Sequence, residues 1–128
     1  MRERLGDRLP IFSEKDKELL ENSLDFVGLN HYTSRFIAHV RDSSDDAEWE
    51  DGEAIGEKAA SEWLYVVPWG IHKVLNYIAQ RYNNPAIYIT ENGMDDEDDT
   101  SPLHEMLDDK LRVSYFKRYL SSVANAIR

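Results

Sequence analysis

Cysteine is absent from the 128 residues, which excludes disulfide bridges and thiolate metal sites. Basic residues are scarce: 15 Lys and Arg stand against 25 Asp and Glu, for a net charge of -10. A surface of that sign is repelled by phosphate backbones and anionic lipid headgroups, so neither nucleic acid nor a membrane is an expected partner. No apolar run approaches the roughly 18 residues of a membrane span. Met1-Arg2-Glu3-Arg4 likewise leads into no apolar core of the length a signal peptide requires, so no targeting signal is expected. Chemistry-bearing motifs are also missing. No His-Glu-x-x-His, Gly-rich phosphate loop or Gly-x-Ser-x-Gly occurs, and His31, His39, His72 and His104 have no ligand spacing. The acidic run from Asp95 to Asp99 fails as an EF-hand. Such a loop needs Gly at its sixth position and Glu at its twelfth, where this chain has Thr100 and Met106. Neither a metal nor a cofactor is expected.

What is present suffices for a core: 41% of the residues are hydrophobic and 11% aromatic. The chain opens as a loop as far as Phe12. Ser13 then suits an N-cap, with Glu14 and Asp16 in the first turn, where the helix dipole favours them. Residues 24–32 read as a strand whose alternation places Phe26, Gly28, Asn30 and Tyr32 on one face and Val27, Leu29 and His31 on the other. Residues 34–40 suit a short strand or excursion. Residues 41–58 carry Asp42, Asp45, Asp46, Glu48, Glu50, Asp51, Glu53 and Glu57 with no apolar period, the pattern of a solvated acidic loop. Pro68 starts a helix running to about Tyr82, with Ile71, Val74, Leu75, Ile78 and Tyr82 as its apolar stripe. His72 lies off that stripe. Asn83-Asn84-Pro85 ends the helix. A short helical piece from Pro102 to Leu107 leads to a longer helix from about Asp109, whose stripe reads as Val113, Phe116, Leu120, Val123, Ala124 and Ile127.

The central stretch is Ala86-Ile87-Tyr88-Ile89-Thr90-Glu91-Asn92-Gly93. An apolar β-rich run delivers one carboxylate to its end and is stopped there by Asn-Gly. A hairpin would require a second apolar run directly afterwards, but Met94-Asp95-Asp96-Glu97 follows. A strand that ends in a polar residue and leads through a loop to a helix fits a parallel α/β sheet or barrel, where sites lie at strand C-terminal ends. Alternation predicts that Glu91 shares a face with Ile87 and Ile89, at the end of a buried row.

Ile87 to Gly93 closely resembles the Ile/Val-Thr-Glu-Asn-Gly motif of glycoside hydrolase family 1, the β-glucosidases and their relatives. Asp25-Phe26-Val27-Gly28-Leu29-Asn30-His31-Tyr32-Thr33-Ser34 resembles a second family strand, and Gly6-Asp7-Arg8-Leu9-Pro10 is similar to the lead-in of plant members. Trp63-Leu64-Tyr65-Val66 with Pro68 and Gly70 also matches, as does Leu107-Asp108-Asp109 with Arg112, Tyr115 and Leu120. The resemblance implies an α/β fold, a fragment of a (β/α)8 TIM barrel covering roughly its sixth and seventh β/α units, with residues 1–128 as one partial domain. It implies a retaining β-glycosidase acting on a β-glycoside, with Glu91 as nucleophile, Tyr32 orienting it, and Asn30 and Tyr32 at the substrate. Loops at the acidic stretch would shape the aglycone entrance, which makes Trp49 a candidate substrate-facing residue.

Two family motifs are missing: the Thr-Phe/Leu-Asn-Glu-Pro of the acid/base glutamate and the Asp-Asn-x-Glu-Trp that grips sugar hydroxyls. A barrel of this kind needs about 250 residues. These residues are therefore expected to be inactive alone. A non-catalytic acidic α/β module that binds a protein partner or a sugar remains the alternative.

Overall fold

A computed structural model describes residues 2–21, 23–37, 55–97 and 101–127. Residues 41–54 of the acidic stretch, Trp49 among them, lie outside the described residues, as do His39, Asp98 and Asp99. The chain does not open as a loop: α1 (Arg2–Leu5) runs into a 3-10 turn over Gly6–Arg8. Gly6 sits at φ +51°, the left-handed conformation that ends a helix with least strain when no Cβ is present. Helix α2 (Glu14–Leu20) begins at Ser13 as expected. Ser13 Oγ accepts from the Asp16 backbone N–H, and the Asp16 carboxylate accepts from the Ser13 N–H, forming a reciprocal capping box. The Ser13 hydroxyl also donates to Asp16 Oδ2 at 2.7 Å, and that bond first, with the Ser13 N–H second, holds the Asp16 carboxyl below its usual range.

Strands β1 (Val27–Asn30) and β4 (Ile87–Glu91) pair in parallel. Between them in sequence stand a small antiparallel hairpin, β2 (Glu57–Lys58) with β3 (Tyr65–Val66), and the helix α3 (Pro68–Arg81). The chain then closes with α4 (Leu103–Met106) and α5 (Lys110–Ile127). A parallel pair joined through a helix is the unit the polar-ended strand called for. Two expectations change here. Residues 57 and 58 are a strand rather than loop, because Glu57 pairs with Val66 and Lys58 with Tyr65, a contact that no local periodicity announces. Residues 34–37 form no strand.

The core lies between the β1–β4 pair and the helices. Val66, Ile71, Leu75, Tyr115 and Tyr119 form its buried cluster, with Leu29, Val74, Ile87, Met94, Val123 and Ala126 packed around it. The α3 stripe is largely as expected, with Ile71, Leu75 and Ile78 buried. Tyr82 departs from it: the helix ends at Arg81, and Tyr82 is exposed beneath the Arg81 guanidinium. Gly70 permits the close approach at the start of α3, since a Cβ there would lie 2.0 Å from Ser34 Oγ. Asn83 and Asn84 make the turn into β4 in the left-handed region.

Helix α5 starts where Asp109 accepts from the Arg112 N–H at 3.0 Å. Arg112 Nε also donates to Asp109 Oδ2, and the backbone bond first, with this side-chain bond second, keeps the Asp109 carboxyl below its usual range. The face of α5 differs from the expected one. Val113, Phe116, Leu120, Ala124 and Ile127 are exposed, and the helix buries Tyr115 and Tyr119 instead. Counting apolar residues hides tyrosine, whose ring packs like Phe once its hydroxyl finds a partner. Among the described residues, no helix is long and apolar enough to cross a membrane.

Candidate active site

The C-terminal ends of β1 and β4 carry the site. The ladder runs Val27 to Ile87, Gly28 to Tyr88 and Leu29 to Ile89, then shifts so that Asn30 stands opposite Glu91. That irregularity corrects the expected faces. Leu29 and Ile87 pack on the core, while Thr90 Oγ1 donates to Asn30 Oδ1 on the other side of the pair. Without the shift, Glu91 would point with Ile87 toward the helices; a one-residue slip at the strand end turns it toward Asn30 and Tyr32 instead. The row it ends is not a buried one either: Ile89 is 38% exposed and Glu91 is exposed.

The structure brings Tyr32 and Glu91 together. Tyr32 Oη donates to Glu91 Oε2 at 2.6 Å, across 59 positions of chain. That bond is the first cause of the rise in the Tyr32 phenol pKa; desolvation and the nearby negative charge add to it. Asn30 stands opposite Glu91 in the ladder, and its side-chain oxygen accepts from Thr90 Oγ1. Trp63 stands edge-on to Tyr32 at 6.1 Å between ring centroids.

The segment after β1 places Trp63. Thr33 Oγ1 donates to the Tyr65 carbonyl at 2.8 Å and accepts from the Tyr65 N–H at 2.9 Å. Arg35 donates to the Trp63 carbonyl at 2.7 Å and lies over the Tyr65 ring. On the far side, Ser61 N–H and Oγ both donate to Asp95 Oδ2, which ties the hairpin loop to the segment after Glu91. Asp95, where an EF-hand would begin, is therefore a structural tie. These links border an open depression of about 280 Å³ lined by Tyr32, Ser61, Trp63, Leu64, Gly93, Met94 and Asp95. A larger depression of about 620 Å³ is lined by Asp96, Glu97, Ser101, Glu105, Met106 and residues 108–112, and includes neither Tyr32 nor Glu91.

Beneath the rim is a set of residues whose part in the site periodicity did not reveal. Asn92 Nδ2 donates to the His31 carbonyl and to Tyr115 Oη. The Tyr115 and Tyr119 hydroxyls both donate to the Tyr32 carbonyl. Burial pushes the Tyr115 phenol well above its ordinary range, with the neighbouring Tyr119 as a further cause. His31 is buried against Tyr119, and desolvation lowers its pKa. The signal available in sequence was the i, i+4 pair of tyrosines on one helix. Among the described residues, no group of three or more His, Asp or Glu could hold a metal ion. An exposed carboxylate aimed by a phenol, beside an aromatic-lined depression, can act as a nucleophile or as a base.

Comparison with known proteins shows which family the chain resembles as a whole. The model described as "Glycosyl hydrolase family 1" matches residues 1–128. The chain is 60% identical to "Beta-glucosidase 4" of Oryza sativa subsp. japonica, an alignment covering 100% of this chain and 29% of the relative. It is 56% identical to "Beta-glucosidase 42" of Arabidopsis thaliana, covering 99% and 29%. Among solved structures, a mutant rice β-glucosidase in a covalent complex with Glc superposes with a TM-score of 0.84 at 36% identity, covering 100% of this chain and 30% of that one. β-Glucosidase 2 of the fungus Trichoderma reesei, in complex with Tris, gives a TM-score of 0.81 at 35% identity, with the same coverage of 100% and 30%. The chain thus spans about 29% of the length of these curated relatives.

Proposed function

The chain belongs to glycosyl hydrolase family 1 and is a fragment of its TIM barrel, and from that membership we propose that Glu91 is the nucleophile of a retaining β-glycosidase and Tyr32 the residue that aims it. One observation supports this above the others: the 2.6 Å bond from Tyr32 Oη to Glu91 Oε2 at the ends of neighbouring parallel strands. A nucleophilic carboxylate must stay ionised and point at one carbon, and a phenol donor serves both needs. With Oε2 held, Oε1 attacks the anomeric carbon of a β-glycoside. The bond from that carbon to the aglycone oxygen breaks, an acid protonates the leaving oxygen, and a covalent glycosyl-enzyme forms. Water then releases the sugar with retained configuration. Asn30 and Tyr32 would stand beside the bound sugar, with Trp63 and the depression around it on the same side.

The second carboxylate of this mechanism, about 5 Å from the first, has no counterpart in an Asn-Glu-Pro motif of these residues. The 128 residues alone are therefore inactive in this reading. Two measurements test it. The purified chain should hydrolyse no aryl β-glucoside above the buffer rate. Residues 1–128 grafted in place of the matching segment of the rice β-glucosidase 4 should give an active enzyme, and Glu91→Gln should return it to background. Turnover that survives Glu91→Gln in the graft would overturn the assignment of the nucleophile. Turnover by the isolated chain would overturn its inactivity. The alternative of a non-catalytic acidic module draws on the exposed Tyr88 and Ile89 of the β4 strand. It requires the grafted enzyme to be indifferent to Glu91.

A further inference from the structure

Resting on that reading, we propose that Tyr115, Tyr119 and Asn92 form a positioning clamp that sets where the Tyr32 phenol meets Glu91. The two tyrosines are 1% exposed, and their rings stack at 4.1 Å between centroids with 22° between planes. Phe would fill the same space without a hydroxyl to desolvate, so two hydroxyls in a core need partners. Both find the same one. Tyr115 Oη donates to the Tyr32 carbonyl at 3.2 Å and Tyr119 Oη donates to it at 3.0 Å, which occupies both of its lone pairs.

Each hydroxyl also accepts, and the acceptor bonds tie in the rest of the site. Tyr119 Oη takes the Val67 N–H at 3.0 Å, just ahead of α3. Tyr115 Oη takes one N–H of Asn92 Nδ2 at 3.0 Å, and the same nitrogen donates to the His31 carbonyl at 2.7 Å. Asn92 directly follows Glu91 in the chain. One turn of α5 therefore grips the backbone of Tyr32 directly, and through Asn92 the residues flanking both members of the reacting pair. The Tyr32 side chain extends from a point two residues past the end of β1, just beyond the last backbone bond of the pair, His31 N–H to the Glu91 carbonyl at 3.0 Å. A small rotation there swings the hydroxyl on a long lever, and a misplacement of about 1 Å can cost on the order of a hundredfold in rate. The two tyrosines are buried away from the surface where a substrate would lie, and the clamp acts through Tyr32.

The experiment is a cycle in the grafted rice enzyme: Tyr115→Phe with Tyr119→Phe, in the parent and in the Tyr32→Phe background, with melting temperature measured throughout. In the parent background kcat should fall about tenfold while KM stays within about twofold. In the Tyr32→Phe background the same pair should change kcat by less than about twofold, because the group being positioned has lost its function. Packing alone would give the same loss in both backgrounds. Equal losses, or a kcat left at the parent value, would overturn the clamp. If the paired variant does not fold, each single Phe substitution carries the same cycle, keeping one bond to the Tyr32 carbonyl and giving a smaller loss. Glu91→Gln separates the two readings: full activity of that variant sinks the nucleophile and the clamp together. Loss of activity there, combined with additive tyrosine effects, sinks the clamp alone.

Discussion

The rim of the β1–β4 pair and the packed face between α3 and α5 use the same side chain in opposite ways. At the rim, Tyr32 is half-buried and its hydroxyl donates to an exposed carboxylate. Under the rim, Tyr115 and Tyr119 are almost fully buried and their hydroxyls donate to backbone. A phenol pointed at a carboxylate can tune chemistry, whereas a phenol pointed at a carbonyl fixes position. The rim is poor in packing, since Ile89 and Tyr88 are both exposed, and so its geometry depends on bonds that originate in the core. The proposed chemistry sits where the surface is open, and the packed core sits one layer below.

If that division holds, substitutions in the two regions should separate stability from chemistry. Ile71→Ala, in the buried cluster of α3, should cost about 2–5 kcal/mol in urea unfolding; a loss below about 1 kcal/mol would show that this face is not the core. Next in size is a pH effect at the boundary between the regions. The folded-state pKa of His31 lies below its ordinary 6.5. As pH falls below that value, the unfolded chain takes up a proton that the folded chain refuses. Stability should therefore be fully present above about pH 6.5 and decline below it, by at most about 1.4 kcal/mol per pH unit. His31→Gln should flatten that slope, and an unchanged slope would remove His31 as its source. Ser13→Ala, far from both regions, should cost about 1 kcal/mol locally. It should speed hydrogen exchange in α2 without moving the global midpoint. The smallest stability effect belongs to Tyr32→Phe, which should leave the unfolding midpoint in place while slowing the grafted enzyme. A midpoint shift matching that of Ile71→Ala would break the division outright.

Residues whose behaviour depends on near neighbours in the chain were readable from sequence. Ser13 caps α2, Pro68 opens α3, Asn83 and Asn84 turn the chain, and Ile87 to Glu91 form the strand that presents the carboxylate. The misread residues depend on partners far away. Apolar periodicity puts the α5 stripe through Val113, Phe116 and Leu120, yet the helix buries Tyr115 and Tyr119, because the Tyr32 carbonyl and the Val67 N–H are there to satisfy their hydroxyls. Residues 57 and 58 became a strand only because β3 lies alongside. Alternation placed Glu91 with Ile87, and a shift in the ladder against Asn30 moved it to the other face.

By itself the sequence determined the elements around the site, the family they belong to, and the two residues that meet there, because caps, breakers, strand runs and motifs act over a few positions. Only the tertiary structure decided which way Glu91 turns and what holds Tyr32 in reach of it. Strand register and buried hydrogen bonds are settled between segments distant in the chain, where the cost of an unpaired polar group selects one arrangement among those that local patterning permits.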